Sequence, residues 1–143
     1  MAVCYSKLGR VDDEIWEYKM VLATQPDMVA ALINLGNAYF SNGKYPLAVE
    51  QYEKAIRVKP DETMAHFNLG AVYSKQKDYK RAVASYLAVV KLDPDIGDAH
   101  YGLAVGYYEL GQYELASEQI RIARRLGVEV PDSLIKAIES RLK

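Results

Sequence analysis

The chain of 143 residues has few of the residue types that build chemically active centres. Its one cysteine, Cys4, excludes an internal disulfide framework and a multi-cysteine zinc site. Two histidines, His66 and His100, leave little material for a metal centre. Gly102 and Gly106 lie in a helical pattern rather than after a strand, so they do not form a phosphate-binding loop. The sequence therefore predicts a protein that is not an enzyme and that needs no metal ion and no cofactor.

The chain also lacks a strong excess of charge and any long apolar run. Its formal net charge of −1 argues against a nucleic-acid partner. Basic runs such as Lys75–Arg81 and Arg121–Arg125 are typical of solvated helix faces. No apolar stretch approaches the ~20 residues that a membrane helix needs, and the pattern of a signal peptide is absent. We therefore expect a soluble, cytoplasmic protein that does not insert into membranes.

One aromatic residue type is abundant, because 12 tyrosines stand against 2 phenylalanines and 1 tryptophan. The tyrosines occupy positions that recur with a fixed period. Pro26, Pro60 and Pro94 lie 34 residues apart, and each is followed by aspartate. So many positions with one period predict an array of repeated units. The other columns are Tyr5, Tyr39, Tyr73 and Tyr107; Leu35, Leu69 and Leu103; Tyr45, Tyr79 and Tyr113; and Ala48, Ala82 and Ala116.

Each unit has the pattern of two helices. In the second unit, Leu32, Leu35 and Tyr39 follow the helical period, and Gly43 then interrupts it as a left-handed helix end would. A second amphipathic stretch around Tyr52 follows, and no segment alternates as a strand does. A single helix pair cannot bury both of its faces, so neighbouring units must stack.

These residues resemble the tetratricopeptide repeat signature. The resemblance implies an all-α fold, a right-handed α-solenoid of antiparallel helix pairs. A one-sided helix after Pro131 has the pattern of a cap for the last unit. The matching residues of the second unit are Asn34-Leu35-Gly36-Asn37-Ala38-Tyr39, Gly43-Lys44-Tyr45, Ala48, Tyr52, Ala55 and Pro60. The predicted divisions are a partial first unit at 1–28, full units at 29–62, 63–96 and 97–130, and the capping helix at 131–143.

The first unit departs from the pattern. Glu14 occupies the column of small residues at Ala48, where a buried charge would be costly. Either the chain is part of a longer array or its first unit packs loosely. In the third unit Lys77 replaces the glycine of the turn.

For function, the resemblance implies a concave groove, lined by the first helix of each unit, that binds a peptide or helix of a partner protein. Phe40, Phe67 and Tyr108 could instead be core residues, since their spacing is helical. Asn34 and Asn68 could form an amide ladder between units rather than contact a ligand. The candidate groove residues are Ile33, Asn34, Asn37, Phe40, Met64, Phe67, Asn68, Ala71, Asp98, Tyr101, Val105 and Tyr108.

Some members of the family hold the carboxylate end of an acidic chaperone tail with asparagines and basic residues. Asn37 and Asn68 match two of these positions. Ile33, Asp98 and Gly102 stand at the positions of the basic residues, so the carboxylate would lack charge-assisted partners. We therefore predict that this chain does not bind such a tail.

Self-assembly is the alternative function. An array that begins within a helix would present an apolar edge around Val3, Tyr5 and Leu8. This edge could stack on another copy, or the groove could receive the terminal helix of a neighbour, giving homo-oligomers.

Overall fold

A computed structural model describes the backbone of residues 2–143 and the side chains of residues 9–143. Within these residues every regular element is a helix and no strand occurs, which confirms the all-α prediction. The helices follow one another as antiparallel pairs would, with short turns between them. They are α1 (Ala2–Thr24), α2 (Val29–Ser41), α3 (Tyr45–Val58), α4 (Thr63–Lys75), α5 (Tyr79–Leu92), α6 (Gly97–Glu109), α7 (Tyr113–Arg125) and α8 (Asp132–Arg141).

The turns after α2, α4 and α6 share one geometry. Each contains a residue in the left-handed region: Gly43 (φ 71°), Lys77 (φ 59°) and Gly111 (φ 76°). The amide that follows donates back to the tyrosine carbonyl of the preceding helix, as in a Schellman helix end. These bonds join Lys44 to Tyr39 at 2.9 Å, Asp78 to Tyr73 at 2.9 Å and Gln112 to Tyr107 at 2.8 Å. The repeated turn therefore places these three tyrosines at the same position of each helix end, although the bond uses the backbone carbonyl and does not itself require tyrosine.

The first unit lacks this turn. Gly9 lies 34 residues before Gly43 in the turn column, yet α1 runs through it as one helix. Glu14 is exposed, so its place in the column of small residues costs no buried charge. The side chains of Val3, Tyr5 and Leu8, on which the predicted apolar edge rests, lie outside the described residues.

Met1–Val72 form one compact unit, which holds α1 to α3 and the start of α4. We call it unit 1; it is longer than a single 34-residue repeat. Leu35, Ala48 and Tyr52 are buried in it. The ring of Tyr52 lies against Gly36, where a Cβ atom would be only 2.5 Å from the ring. The absence of a side chain at Gly36 therefore leaves room for the tyrosine ring.

Tyr73–Lys143 form a second compact unit, unit 2, with the end of α4 and α5 to α8. Its tyrosine ring at Tyr86 lies 2.6 Å from the position of a Cβ on Gly102. Helix α8 contributes Ile138, which is 2% exposed and clusters with Ala116 and Ile120. Leu142, directly after the helix, is 42% exposed.

Candidate functional site

An open cavity of about 320 Å³ lies in unit 1, between α2, α3 and α4. None of the described side chains that line it carries a charge. We call it the α2–α4 groove. Its lining residues are Asn37, Phe40, Ser41, Tyr52, Asn68 and Ala71.

The polar side of the α2–α4 groove is a fixed group of three side chains. The Oδ1 atom of Asn37 accepts from the Tyr52 hydroxyl at 2.6 Å and from Nδ2 of Asn68 at 2.9 Å. Burial raises the pKa of Tyr52 above its usual range, so the hydroxyl remains a neutral donor. No described residue bonds to the Nδ2 group of Asn37 or to Oδ1 of Asn68. The groove therefore presents one donor group and one acceptor that are held in place.

The remaining predicted groove residues of unit 1 differ in exposure. Phe40 is partly exposed, and its ring centroid is 5.5 Å from that of Tyr45. Met64 is 54% exposed, and Phe67 is partly exposed. Ile33 is only 8% exposed and belongs to the core, which leaves little of its surface for a ligand.

The two asparagines that repeat at the 34-residue period do not pair. Asn68 donates to Asn37 on α2, and no described bond joins it to Asn34, which is exposed. Tyr52 was missed as a site residue, because its column predicted only packing between helices. Its opposition to Asn37 depends on how α3 packs on α2, which a spacing pattern does not give.

The predicted groove residues of unit 2 are a mixed set. Asp98 is exposed, and Val105 is partly buried. Tyr101 and Tyr108 pack against the buried cluster that includes Ile138. Tyr108 also lies 5.7 Å from Tyr113, centroid to centroid, with the rings inclined at 59°.

Both histidines make contacts with proline carbonyls. Nε2 of His66 lies 2.8 Å from the Pro60 oxygen, and Nε2 of His100 lies 2.8 Å from the Pro94 oxygen. Nδ1 of His100 is also 2.7 Å from Oε1 of Gln119. The described residues hold no group of three or more His, Cys, Asp or Glu side chains placed to bind a metal ion.

One of the predicted solvated cations is fixed by its neighbours. The Arg81 Nε atom lies 2.6 Å from Oδ2 of Asp78, and its guanidinium carbon is 4.5 Å from the centroid of the Tyr73 ring. The hydrogen bond from Arg81 lowers the pKa of Asp78. None of the described helices combines the length and apolar character that crossing a membrane requires.

Comparisons with known proteins agree with the helix pairs and their turns. A family model described as TPR repeat matches residues 36–77, and one described as Tetratricopeptide repeat matches residues 64–96. Among solved structures, MamA AMB-1 is 30% identical with a TM-score of 0.72, and the match covers 85% of this chain and 72% of that one. MamA MSR-1 is 28% identical with a TM-score of 0.73, covering 85% and 70%. The comparison with curated proteins gave no match.

A further solved structure is the first TPR of Spaghetti (RPAP3) bound to the HSP90 peptide SRMEEVD. It is 21% identical with a TM-score of 0.75, and the match covers 80% of this chain and 94% of that one. The chain belongs to the tetratricopeptide repeat family. Its fold class is therefore that of helical protein-interaction scaffolds.

Proposed function

We propose that this protein is a non-enzymatic scaffold that binds an extended, apolar segment of a partner protein in the α2–α4 groove. The observation that carries the proposal is the pair of unengaged polar groups in the groove. They are Nδ2 of Asn37 and Oδ1 of Asn68, beside the partly exposed ring of Phe40.

A peptide backbone matches this pair, since every residue except proline offers one N–H and one C=O. The Asn37 amide donates to a backbone carbonyl of the ligand, and Asn68 accepts from a backbone N–H. The bonds from Tyr52 and Asn68 to Asn37 hold these groups before the ligand arrives. Binding then costs little side-chain ordering.

The rest of the groove favours apolar side chains. Phe40 and Ala71 line it, and no charged side chain of residues 9–143 does. Affinity should therefore depend only weakly on ionic strength. The first TPR of RPAP3, which shares the fold, has a bound peptide, and this supports a peptide ligand in general rather than an apolar one in particular.

The test begins with peptides selected from a random display library on the full chain. Titration calorimetry then compares the wild type with Asn68→Ala and with Asn34→Ala. We expect Asn68→Ala to weaken binding about five- to tenfold, since it removes one ligand bond and the support of Asn37. Asn34→Ala is the matched control on α2. Asn34 was predicted to line the groove, but its exposed side chain is not among the lining residues, so the variant should bind as the wild type does.

Loss of binding in Asn34→Ala together with unchanged binding in Asn68→Ala would contradict the proposal. Circular dichroism of both variants checks that the helices remain. For unit 2, the roles of Asp98, Tyr101, Val105 and Tyr108 stay a prediction.

Self-association is a second candidate function, favoured by the surface of α1. Trp16 is 63% exposed and Met20 is 52% exposed, one helical turn apart on the same face. Sedimentation velocity of the wild type and Trp16→Glu tests it. A concentration-dependent dimer that Trp16→Glu abolishes supports self-association through α1, and a monomer at all concentrations contradicts it.

A further inference from the structure

A second cavity in unit 1 shares no lining residue with the α2–α4 groove. It has a volume of about 680 Å³ and lies between the end of α1, the start of α2 and α3. Leu22 and Leu32 give it an apolar wall, and Gln51 lines it with a carboxamide. We call it the Gln51 cavity.

Gln51 is unusual because it is buried without a partner. The residue is 7% exposed, and no described group forms a hydrogen bond with its side chain. No fully enclosed side-chain nitrogen or oxygen among the described residues lacks a partner. The polar atoms of Gln51 are therefore those that open onto the cavity, where they face a ligand or solvent.

The 34-residue repeat shows what occupies this place in unit 2. The positions that correspond to Pro26, Leu32 and Gln51 are Pro94, His100 and Gln119. There the buried imidazole of His100 bridges the other two residues. Its Nε2 atom is 2.8 Å from the Pro94 oxygen, and its Nδ1 atom is 2.7 Å from Oε1 of Gln119. A half-turn of the Gln119 carboxamide would present its NH2 group to Nδ1, and that arrangement suits a neutral ring.

In unit 1 the bridge is missing, because Leu32 has no polar atom. No described donor reaches the Pro26 carbonyl, and none pairs with Gln51. Both residues line the same cavity. Unit 1 thus has both residues that His100 joins in unit 2, on one cavity, without a polar side chain at position 32.

We propose that the Gln51 cavity binds an imidazole ring, the side chain of a histidine in a partner protein. A neutral imidazole has one N–H donor and one bare nitrogen acceptor. The N–H donates to the Pro26 carbonyl, and the bare nitrogen accepts from the Gln51 amide. The carbon edge of the ring packs on Leu32.

The charges around the cavity suit a neutral ring. Lys54 and Arg57 line it together with Asp27, and Lys54 is paired with Glu50 at 2.7 Å. Two cations and two anions balance, so the cavity offers no strong field for a charged ligand. Recognition then rests on hydrogen bonds to the ring nitrogens, which an aliphatic side chain cannot form.

The experiment is an NMR titration of the full chain with Nα-acetyl-histidinamide at about pH 8, where an imidazole of pKa ~6.5 is neutral. Nα-acetyl-leucinamide is the matched control ligand. We expect the histidine compound to shift the side-chain amide signals of Gln51 and the backbone signals near Leu32. The leucine compound should leave them unchanged.

Three variants then test the bridge itself. Gln51→Leu should weaken binding of the histidine compound at least about fivefold, because one hydrogen bond is lost. Leu32→His should abolish binding, since its own ring fills the bridge as His100 does in unit 2. Leu32→Met is its apolar control and should bind as the wild type does.

Equal shifts with both compounds would overturn the proposal, as would shifts confined to Asn37 and Asn68. A folded Leu32→His variant that binds normally would also overturn it. If Leu32→His fails to fold by circular dichroism, the result with Gln51→Leu decides. If Nα-acetyl-glutaminamide binds more tightly than the histidine compound, the cavity prefers a carboxamide to an imidazole. This result would contradict the proposal.

Discussion

Tyr52 links the core of unit 1 to its surface groove. Its ring fills the space that Gly36 leaves open, and its hydroxyl holds Asn37 from within the core. If the proposed function holds, this side chain couples stability to binding, because the same residue orders the helix packing and the amide of Asn37.

The buried tyrosines predict a loss of stability in alkali. Burial raises the pKa of Tyr52, and burial raises that of Tyr86 against a smaller opposing effect of its hydrogen bond with Ser74. Above pH ~10 these tyrosines ionise in the unfolded chain while they stay neutral in the folded one. We expect the buried tyrosines to leave the free energy of unfolding constant between neutral pH and about pH 9, and to make it fall from pH ~10 upward.

Urea unfolding at a series of pH values measures this dependence. Tyr52→Phe and Tyr86→Phe should each make the alkaline decrease shallower. If both variants lost stability above pH ~10 as steeply as the wild type, the alkaline decrease in unfolding free energy would not come from these two tyrosines.

Gly36 has no room for a methyl group. A Cβ atom there would lie 2.5 Å from Cε1 of Tyr52 and 2.8 Å from its Cδ1. Although alanine is the better helix former, we expect Gly36→Ala to destabilise the protein by about 1–3 kcal/mol through overpacking. Urea denaturation measures the change, and a stability equal to or above that of the wild type would contradict the packing described for Tyr52.

At the scale of elements, α1 is where sequence and structure differ most. Its two halves were expected to be separate helices of one pair, with a turn between them. The continuous helix places Gly9 in helical backbone, with nothing within 4 Å of an added Cβ.

Gly9→Ala therefore reports on the continuity of α1. In a helix, alanine is better than glycine by about 1 kcal/mol, so we expect the variant to gain stability and helical signal. In a left-handed turn like that of Gly43, alanine would be strained and the stability would fall. Urea unfolding and circular dichroism distinguish the two outcomes by sign, and Gly43→Ala serves as the comparison variant.

Helix α8 should contribute much of its stabilisation through one side chain. Ile138 is 2% exposed and packs with Ala104, Ala116 and Ile120. We expect Ile138→Ala to destabilise the protein by about 2–4 kcal/mol, because it leaves a cavity under the helix. Leu142→Ala removes a side chain that is 42% exposed and should change the unfolding free energy much less. If Ile138→Ala and Leu142→Ala gave the same thermal melting curve, α8 would not cover a core.

The repeat period was sufficient to predict the helices and turns from α2 to α7. Columns such as Tyr39, Gly43 and Tyr52 constrain the same local geometry in each unit, so their agreement outweighs a single departure like Lys77. The site was predicted less well. Whether Asn68 contacts Asn34 or Asn37 depends on how far α4 is shifted along α2. A repeat period of 34 residues does not specify that shift.

At the scale of the whole molecule, neither candidate site carries a strong excess of one charge. The net charge is −1, and the α2–α4 groove is lined by uncharged side chains. The positions where relatives with a carboxylate clamp carry basic residues hold Ile33, Asp98 and Gly102. Recognition in this member of the family should rest on amides and apolar contacts.

We therefore expect no measurable binding of the acidic peptide SRMEEVD at concentrations that saturate an apolar peptide selected on the groove. The physical reason is that a carboxylate removed from water needs a cation or several donors, and these positions supply none. Titration calorimetry at low ionic strength is the strictest test, because low salt strengthens any binding that rests on charge. Micromolar affinity that falls steeply with added salt would contradict this prediction.

The exposure of Trp16 has a practical consequence for following the protein in solution. It is the one tryptophan of the chain, so indole emission comes from α1 alone. Because 63% of the residue is open to water, its fluorescence should be red-shifted and readily quenched by acrylamide in the free protein. Any event that covers this helix then moves the emission to shorter wavelength and shields it from the quencher, whereas an event confined to unit 2 leaves the spectrum unaltered.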